Sequence, residues 1–193
     1  MNVLLLGGSP SAPSTTWRLQ QLVGARLAAL GHRTASLQVR DLPAQALLRA
    51  DTADAVILEA VTLVRDADAI VIGTPVYKAS FSGILKAFLD LLAQDGLSNK
   101  LVLPLATGGS QSHMLALDYA LRPVLASLAP RHILPSIYAT SEQLPRDAHD
   151  GLVPAPAIAA RIDAGVEQLH HELQAMLLRR ATGARPAPSP IAA

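Results

Sequence analysis

The sequence has no cysteine, few aromatic residues and no strong charge of either sign. Cysteine is absent from all 193 residues, which excludes disulfides, a thiol nucleophile and thiolate metal ligands, so redox chemistry would need a borrowed cofactor. Aromatic residues make up 3% of the chain and hydrophobic residues 50%, so aliphatic side chains must build the core. The net charge of +1 provides no basic surface for nucleic acid.

Long apolar runs and metal-binding clusters are also missing from the sequence. No run approaches the roughly 20 residues of a membrane span, and the apolar start lacks the basic leader of a signal peptide. The histidines show no ligand spacing, so no metal site is expected. We therefore expect a soluble cytoplasmic protein that binds neither membrane nor nucleic acid. The length predicts one domain over residues 1–180, and the Pro/Ala-rich residues 181–193 are predicted to form a disordered tail.

Residues 1–18 combine an apolar run, a glycine pair and a group of hydroxyls. Val3–Leu6 lacks polar alternation, which is typical of a strand buried on both faces in a parallel sheet. The run stops at Gly7 and Gly8, and a helical pattern follows. A strand that turns into a helix in this way points free N–H groups and the positive end of the helix dipole at one place. The hydroxyls available there belong to Ser9, Ser11, Ser14, Thr15 and Thr16.

This first loop differs from two well-known phosphate-binding loops. It lacks the Gly-x-x-x-x-Gly-Lys-Ser/Thr pattern, so no lysine is present for the terminal phosphates of a nucleotide. It also lacks the three spaced glycines that let backbone approach a dinucleotide pyrophosphate. We predict that the loop binds a monophosphate through hydroxyl and backbone donors.

The rest of the chain alternates between strand and helix patterns. The predicted strands cover residues 3–6, 33–39, 68–73, 101–106 and 132–139. Strands that alternate with helices predict an α/β fold, a doubly wound sheet of five parallel strands covered on both faces. The polar alternation of the second strand places it at an edge, which gives the order 2-1-3-4-5. Ligands of such sheets bind at the carboxyl ends of the strands, near the switch point between the first and third.

Three unusual loops, at residues 7–16, 74–83 and 107–113, fall at that end of the predicted sheet and are expected to form one site. Thr74-Pro75 forces an extended chain, which could leave amides free to meet the edge of a flat polar ring. Glycines in the third loop let backbone approach a ligand closely. The two loops add the candidate residues Pro75, Val76, Tyr77, Lys78, Thr107, Gly108, Gly109 and Ser110. With the phosphate loop, they predict a site for a phosphate joined to a planar heterocycle.

A predicted helix over residues 112–128 contains a proline. Pro123 has no N–H for the carbonyl of Tyr119 four residues earlier, so the helix must kink there or form a π-bulge. Asp118 and Arg122, one turn apart, are predicted to form a surface ion pair.

The motifs Leu6–Pro10, Thr74–Gly83 and Leu103–Gly109 resemble those of the NADPH-dependent FMN reductases of flavodoxin-like fold, in particular the reductases of two-component alkanesulfonate monooxygenases. The resemblance implies that the FMN phosphate lies on Ser9, Ser14 and Thr16, with the flavin ring against the second and third loops. It also implies hydride transfer from NADPH to FMN and delivery of reduced FMN to a monooxygenase. In these reductases a tyrosine-bearing π-helix lies at a subunit interface, which makes Tyr119 a candidate for flavin transfer and predicts a tetramer or dimer.

One position departs from the family pattern. Ser11 stands where the family commonly has an arginine, and a hydroxyl contacts phosphate more weakly than a guanidinium does. We therefore expect FMN to be held loosely. Two alternatives stay open: a reductase that retains FMN and reduces quinones, azo dyes or metal ions, and a flavodoxin-type electron carrier. The sequence gives no preference between NADPH and NADH.

Overall fold

A computed structural model describes residues 1–148 and 151–182 and places a parallel sheet at the centre of the chain. The strands are β1 (Asn2–Gly7), β2 (Arg33–Gln38), β3 (Ala69–Tyr77), β4 (Ser80–Phe81), β5 (Leu101–Gly108), β6 (His132–Ile133) and β7 (Ile137–Thr140). The parallel strands follow the order β2-β1-β3-β5, and β6 and β7 both pair with β5. The flavodoxin-like α/β fold predicted from the sequence is confirmed.

The sheet differs in two details from five simple strands in the order 2-1-3-4-5. A short antiparallel strand, β4, pairs with the end of β3. The fifth position is shared by β6 and β7, because Pro135 lies between them and cannot donate a ladder hydrogen bond. The five parallel positions otherwise follow the predicted order.

In the described part of the chain, six α-helices and several shorter turns accompany the strands. The α-helices are α1 (Thr15–Ala29), α2 (Ala44–Arg49), α3 (Ala55–Asp66), α4 (Gly83–Leu89), α5 (Arg122–Ser127) and α6 (Pro156–Ala181). Short 3-10 turns cover Val39–Asp41, Gln111–His113 and Ser141–Gln143, and a π-helix covers Leu117–Leu121. α6 thus ends one residue into the predicted tail, and residues 183–193 of that tail lie outside the described part of the chain.

The two sheet faces bury separate hydrophobic clusters. Val3 and Leu5 of β1 pack with α1 and α6 on one face. Leu4 and Leu6 pack on the other, with α3, α4 and α5. All four side chains are buried, which explains why β1 reads as a continuous apolar run.

The spacing of apolar residues in the sequence predicts that Val56, Ala60, Leu63 and Val64 form the core face of α3, and this prediction is only partly confirmed. Ala60 and Val64 are buried as expected, but Val56 and Leu63 are 44% and 39% exposed, and Ile57 takes the core position. Positions 57, 60 and 64 form the stripe that faces the sheet, since residues three and four apart share a helix face. The spacing of apolar residues thus predicted the helix correctly but assigned two exposed residues to its buried face.

Gln20 of α1 joins the two strands at the switch point of the sheet. Its Nε2 donates to the carbonyl of Leu6 in β1 at 2.9 Å and to that of Val71 in β3 at 3.0 Å. The side chain is fully buried and lies over Gly73, where a Cβ atom would be 2.3 Å from the Gln20 Cδ. A polar side chain therefore holds β1 and β3 together just below their carboxyl ends.

The described residues contain neither a membrane-spanning helix nor a metal-binding cluster. No helix there is long and apolar enough to cross a bilayer. In the same residues, no three His, Asp or Glu side chains are grouped so that they could hold a metal ion.

Candidate functional site

The three loops singled out in the sequence meet at the carboxyl ends of β1, β3 and β5. They enclose an open cleft of about 260 Å³. Its walls are formed by Ser9, Ser11, Pro13, Ser14, Thr15, Thr16, Pro75, Val76, Tyr77, Thr107, Gly108, Gly109 and Ser141. The predicted convergence of the loops is confirmed.

The first loop leads into the N-terminus of α1, which points at the cleft. Ser14 is the N-cap, and its Oγ accepts a hydrogen bond from the Trp17 amide at 3.2 Å. The Arg18 amide binds the Ser14 carbonyl at 3.1 Å. The first amides of a helix have no intrahelical acceptor, so those of Thr15 and Thr16 are placed to bind an anion. The first turn contains no acidic residue that would repel it.

A pair of threonines joins the first loop to the third. The Oγ1 atoms of Thr16 and Thr107 lie 2.6 Å apart. The two residues are 1% and 6% exposed, respectively. One hydroxyl donates to the other, and the acceptor hydroxyl keeps its own hydrogen for a further bond. The pair fixes the width of the cleft floor and leaves one donor for a ligand.

A second set of contacts fixes the first loop to the second. The Gly8 amide donates to the Gly73 carbonyl at 2.7 Å. Ser82 caps α4, and its Oγ also donates to the Gly8 carbonyl. The Ser82 amide donates to the Thr74 hydroxyl at 2.9 Å. From the sequence, either Ser80 or Ser82 could cap the helix after the second loop, and the structure shows that Ser82 does. The bond of Ser82 to Gly8 was not predicted.

The second loop is a tight β-hairpin that the sequence analysis missed. β3 pairs with β4 so that Tyr77 is opposite Ser80, and residues that flank a two-residue turn exchange backbone hydrogen bonds. The Tyr77 amide is therefore engaged with β4, which corrects the expectation that the amides of this loop are all free. The turn residues Lys78 and Ala79 have φ angles of 50° and 61°. This left-handed conformation is unfavourable for residues other than glycine.

The third loop is supported from below by a tyrosine on β7. The Tyr138 hydroxyl donates to the Ser110 carbonyl at 2.5 Å. A Cβ atom at Gly108 would lie 2.3 Å from that hydroxyl oxygen, so only glycine allows this approach. Burial raises the pKa of Tyr138 above its ordinary value, and the hydrogen bond to Ser110 partly opposes the shift. The neutral phenol is thus kept as a donor at neutral pH.

The cleft walls are uncharged. Hydroxyl, backbone and apolar groups line it, without any acidic or basic side chain among the lining residues. Arg40, which follows β2, supports the first loop through its Nη1, which donates to the Ser11 carbonyl at 3.0 Å. Ser141 lies at the end of β7 and was missed by the sequence analysis, since only its position after a strand pointed to it.

Three of the predicted site residues do not line the cleft. Lys78 is at the hairpin turn, and Ser110 uses its carbonyl to accept from Tyr138. Tyr119 lies on the π-helix and is 79% exposed. The other predicted residues are brought together by the three loops.

The π-helix confirms the irregularity expected from Pro123. The Arg122 amide donates to the Leu117 carbonyl, five residues earlier, which is the π-helical pattern. Arg122 also forms the predicted ion pair, with its Nε 3.3 Å from the Asp118 Oδ1. Its guanidinium donates to the carbonyls of Ile133 and Leu134 at 3.2 and 3.1 Å. The irregular turn is thus fixed to the chain segment around β6.

The residues of the cleft fit an FMN molecule. The helix N-terminus and hydroxyls suit a dianionic monophosphate, Gly109 has open space where a Cβ would lie, and Pro75 and Val76 offer an apolar wall for a ring. Among the described residues that line the cleft, no nucleophile is paired with a base, which is consistent with a bound cofactor that supplies the chemistry. The fold and site together define a doubly wound α/β protein of the flavin-binding class.

Comparison with known proteins identifies the family. Residues 1–144 match the NADPH-dependent FMN reductase family. The chain is 41% identical over 186 residues to an FMN reductase (NADPH) of Pseudomonas putida, covering 96% of this chain and 91% of that protein. It is 35% identical over 184 residues to the NADH-dependent FMN reductase SfnE of Pseudomonas putida, covering 90% and 96%. A solved NADH:FMN oxidoreductase (EMOB) in its apo form superposes with a TM-score of 0.81 at 38% identity, covering 89% of both chains.

The chain therefore belongs to the NADPH-dependent FMN reductase family. It is an oxidoreductase that uses FMN and NAD(P)H, as the sequence motifs predicted.

Proposed function

We propose that this enzyme reduces FMN with NAD(P)H and releases the reduced flavin to a separate monooxygenase of the alkanesulfonate or organosulfur type. The observation that carries the proposal is the uncharged cleft, in which hydroxyl and backbone groups would bind the phosphate without a lining cation. Neutral hydrogen bonds to phosphate are weaker than charge-assisted ones. A flavin held in this way can exchange, as a flavin that serves as a substrate must. The 35% identity to SfnE agrees with this proposal.

Each wall of the cleft would have its own role in binding. The hydroxyls of Ser9 and Ser14 and the first amides of α1 would hold the phosphate, while Ser11 adds a peripheral hydroxyl. Pro75–Tyr77 and Thr107–Gly109 would lie along the flavin ring and limit the access of water. When bound, FMN supplies the two-electron redox chemistry that the side chains of this chain lack.

The π-helix supports a role for Tyr119 in flavin transfer and assembly. The Tyr119 side chain is 79% exposed, and the neighbouring Met114 and Leu115 are 43% and 52% exposed. Together they form an apolar surface of the kind that marks a protein contact. We infer that Tyr119 packs across a subunit interface in a tetramer or dimer. The cytoplasmic location expected from the sequence is part of the same proposal.

The role of Tyr119 is tested by Tyr119→Ala. We expect a smaller oligomer in sedimentation experiments and a slower release of FMN after rapid dilution. Leu178→Ala, a substitution of another exposed residue (66% exposed) on α6, serves as the control. If the oligomer size and the rate of FMN release are both unchanged in Tyr119→Ala, Tyr119 has no role in assembly or flavin transfer.

Steady-state oxidation of NADPH and NADH with varied free FMN tests the proposed reaction. We expect turnover that depends on added FMN in the absence of any other acceptor. Protein purified without added flavin is expected to contain little FMN. Turnover that appears only with a quinone, azo dye or metal ion, together with tightly retained FMN, would instead identify a flavin-retaining reductase. FMN binding without pyridine nucleotide oxidation would indicate an electron carrier.

A further inference from the structure

One wall of the candidate FMN cleft is built from the loops that follow β5 and β7. The two strands pair in parallel as far as Gly108 and Thr140, and each chain continues beyond that point as a loop. Gly109 of one loop and Ser141 of the other both line the cleft. The position of this wall therefore depends on contacts that join the two loops beyond the end of the sheet.

Two glutamine side chains join these loops. Gln111 lies three residues past Gly108, and Gln143 lies three residues past Thr140. The Gln111 Nε2 donates to the Gln143 Oε1 at 3.0 Å, and we call this hydrogen-bonded pair the glutamine clasp. Neither glutamine is among the residues that line the cleft. The clasp therefore acts on the position of the wall rather than on a bound flavin.

The acceptor of the clasp is held firmly by its surroundings. The Gln143 Oε1 also accepts a hydrogen bond from the Thr140 amide at 3.0 Å, so each of its two lone pairs has a donor. The Gln143 carbonyl accepts from the amide of Ala155, the residue before α6, at 2.9 Å. The next residue, Leu144, is buried in the hydrophobic cluster beneath α1 and α6. These contacts fix Gln143 at the end of β7.

The donor of the clasp lies on a more exposed segment. Gln111 and Ser112 are both exposed, and a Cβ atom at Gly109 would meet no atom within 4 Å. Ser110 starts the turn, and its Oγ accepts from the Ser112 amide at 3.2 Å. Segments with few buried contacts open at low free-energy cost. The wall thus has one half that is fixed and one half that can move, and the clasp joins them.

We propose that the glutamine clasp is a gate that sets how fast FMN enters and leaves the cleft. Gln111 and Gln143 are positioning residues, since neither of them lines the cleft. A neutral hydrogen bond of this kind shifts an equilibrium by about two- to tenfold, so the clasp favours the closed wall without locking it. The inference rests on the proposed function, because a flavin that serves as a substrate must enter and leave in every turnover.

A gate has a kinetic signature that a flavin ligand does not have. The clasp holds the wall in the same way whether or not the cleft contains FMN, because it makes no contact with the cleft. Breaking it should therefore raise the rate constants of FMN entry and release by the same factor and leave the Kd unchanged. Loss of a direct contact to the flavin would instead raise the release rate and the Kd together.

Stopped-flow measurement of FMN fluorescence with FMN-free protein gives both rate constants. Gln111→Leu removes the donor and should raise both by about fivefold, the effect of one neutral hydrogen bond. Gln143→Glu keeps an acceptor for the Thr140 amide and makes the clasp charge-assisted, which should lower both by about fivefold. Rate constants equal to those of the wild type in both variants, or a Kd that rises as much as the release rate in Gln111→Leu, would overturn the inference.

The double variant and two controls separate the clasp from a charge effect. In Gln111→Leu/Gln143→Glu the glutamate has no donor at position 111, so both rate constants should equal those of Gln111→Leu alone. Gln174 is exposed on α6, and Gln174→Leu and Gln174→Glu should leave both rate constants unchanged. Slower FMN release in the double variant than in Gln111→Leu, or in Gln174→Glu than in the wild type, would refute the gate.

Measuring FMN exchange without NAD(P)H keeps the inference distinct from the proposed function. FMN-dependent turnover in the wild type, combined with unchanged rate constants in the Gln111 and Gln143 variants, would refute only the gate. Absence of FMN-dependent turnover, combined with the expected changes in both rate constants, would refute the proposed function and support the gate.

Discussion

The hydroxyl oxygens of Thr16 and Thr107 are 2.6 Å apart although the two residues are 91 positions apart in the chain. This contact joins the loop that begins α1 to the loop that ends β5. Both side chains are buried, so neither can replace its partner with solvent at low free-energy cost.

The threonine pair predicts a non-additive mutant cycle. Thr16→Val leaves the Thr107 hydroxyl buried and unpaired, so we expect a loss of about 1–3 kcal/mol in the free energy of unfolding. Thr107→Val should have a similar effect. The double variant should lose less than the sum of the two, because no unpaired hydroxyl remains. Urea denaturation of the four proteins measures this coupling, and additive losses would show that the contact has no energetic weight.

The hairpin turn predicts a stabilising substitution in the second loop. Ala79 has a φ of 61°, and glycine adopts this conformation without the penalty that a Cβ incurs. Ala79→Gly is expected to raise the free energy of unfolding by about 1 kcal/mol. Ala25→Gly, at an exposed position inside α1, should lower it by about 1 kcal/mol. Thermal or urea denaturation compares the two, and a loss of stability in Ala79→Gly would contradict the turn geometry.

The contact between Gly108 and Tyr138 predicts a rescue. Gly108→Ala would place Cβ 2.3 Å from the Tyr138 hydroxyl oxygen, and overpacking of this kind costs about 1–3 kcal/mol. We expect weaker FMN binding and lower stability. Adding Tyr138→Phe removes the clashing oxygen and leaves the ring carbon Cζ, 3.2 Å away, as the next contact.

The double variant should therefore bind FMN more tightly than Gly108→Ala alone. Tyr138→Phe alone is the matched control, and it should lose about 1 kcal/mol because it removes the hydrogen bond to Ser110. FMN fluorescence titration decides the outcome. A double variant that binds FMN as weakly as Gly108→Ala would show that the tyrosine hydroxyl is not the obstacle.

The uncharged first loop predicts a gain in affinity on adding a cation. Ser11→Arg should lower the Kd for FMN by about tenfold, because charge-assisted bonds to phosphate are roughly twice as strong as neutral ones. The rate of FMN release should fall accordingly. Ser127→Arg adds the same charge at the exposed end of α5 and should leave the Kd unchanged. Equal effects of the two substitutions would indicate a general charge effect.

A buried histidine predicts how stability depends on pH. The pKa of His32 is lowered below its ordinary 6.5, first by burial and then by repulsion from the N-terminal amino group and His170, against an attraction to Asp68. Its Nε2 is 2.9 Å from the His170 Nδ1. The unfolded chain therefore takes up a proton at a higher pH than the folded one does. The contribution of neutral His32 to the free energy of unfolding is therefore fully present above about pH 6.5. It is lost as the pH falls through the lower pKa that His32 has in the folded protein.

His32→Gln tests this linkage. The variant lacks the titrating group, so its free energy of unfolding should depend less steeply on pH below about 6.5 than that of the wild type. Urea denaturation at a series of pH values measures both slopes, and the NMR titration of the His32 ring measures the pKa itself. Identical slopes would assign the acid sensitivity to other groups.

Local patterns predicted the strands and the loops well, because buried parallel strands leave continuous apolar runs such as that of β1. The three loops could be placed together because the carboxyl ends of such strands share one edge of the sheet. Pro123 indicated the irregular helix correctly, since a missing N–H is a local property. The hydroxyls of Ser11 and of the neighbouring Ser9 and Ser14 could likewise be assigned to the first loop from the sequence.

Contacts between distant residues were not predictable in this way. The bond between Thr16 and Thr107 and the support of the third loop by Tyr138 depend on strand register, which no local pattern sets. The hairpin at Lys78 and Ala79 was missed because its turn lacks the Asn-Gly or Gly residues that mark such turns. The break in the fifth strand, in contrast, could have been predicted from Pro135, because proline cannot donate a hydrogen bond to a neighbouring strand.

The packing of Gln20 over Gly73 restricts how this fold can diversify. A side chain at position 73 would occupy the space of the glutamine amide, and a shorter residue at position 20 would leave the carbonyls of Leu6 and Val71 without their donor. The two positions are therefore expected to vary as a pair, with a larger residue at one accompanied by a smaller residue at the other. Libraries that recode α1 and β3 independently should contain many non-folding members, and paired randomisation of these positions should recover most of them.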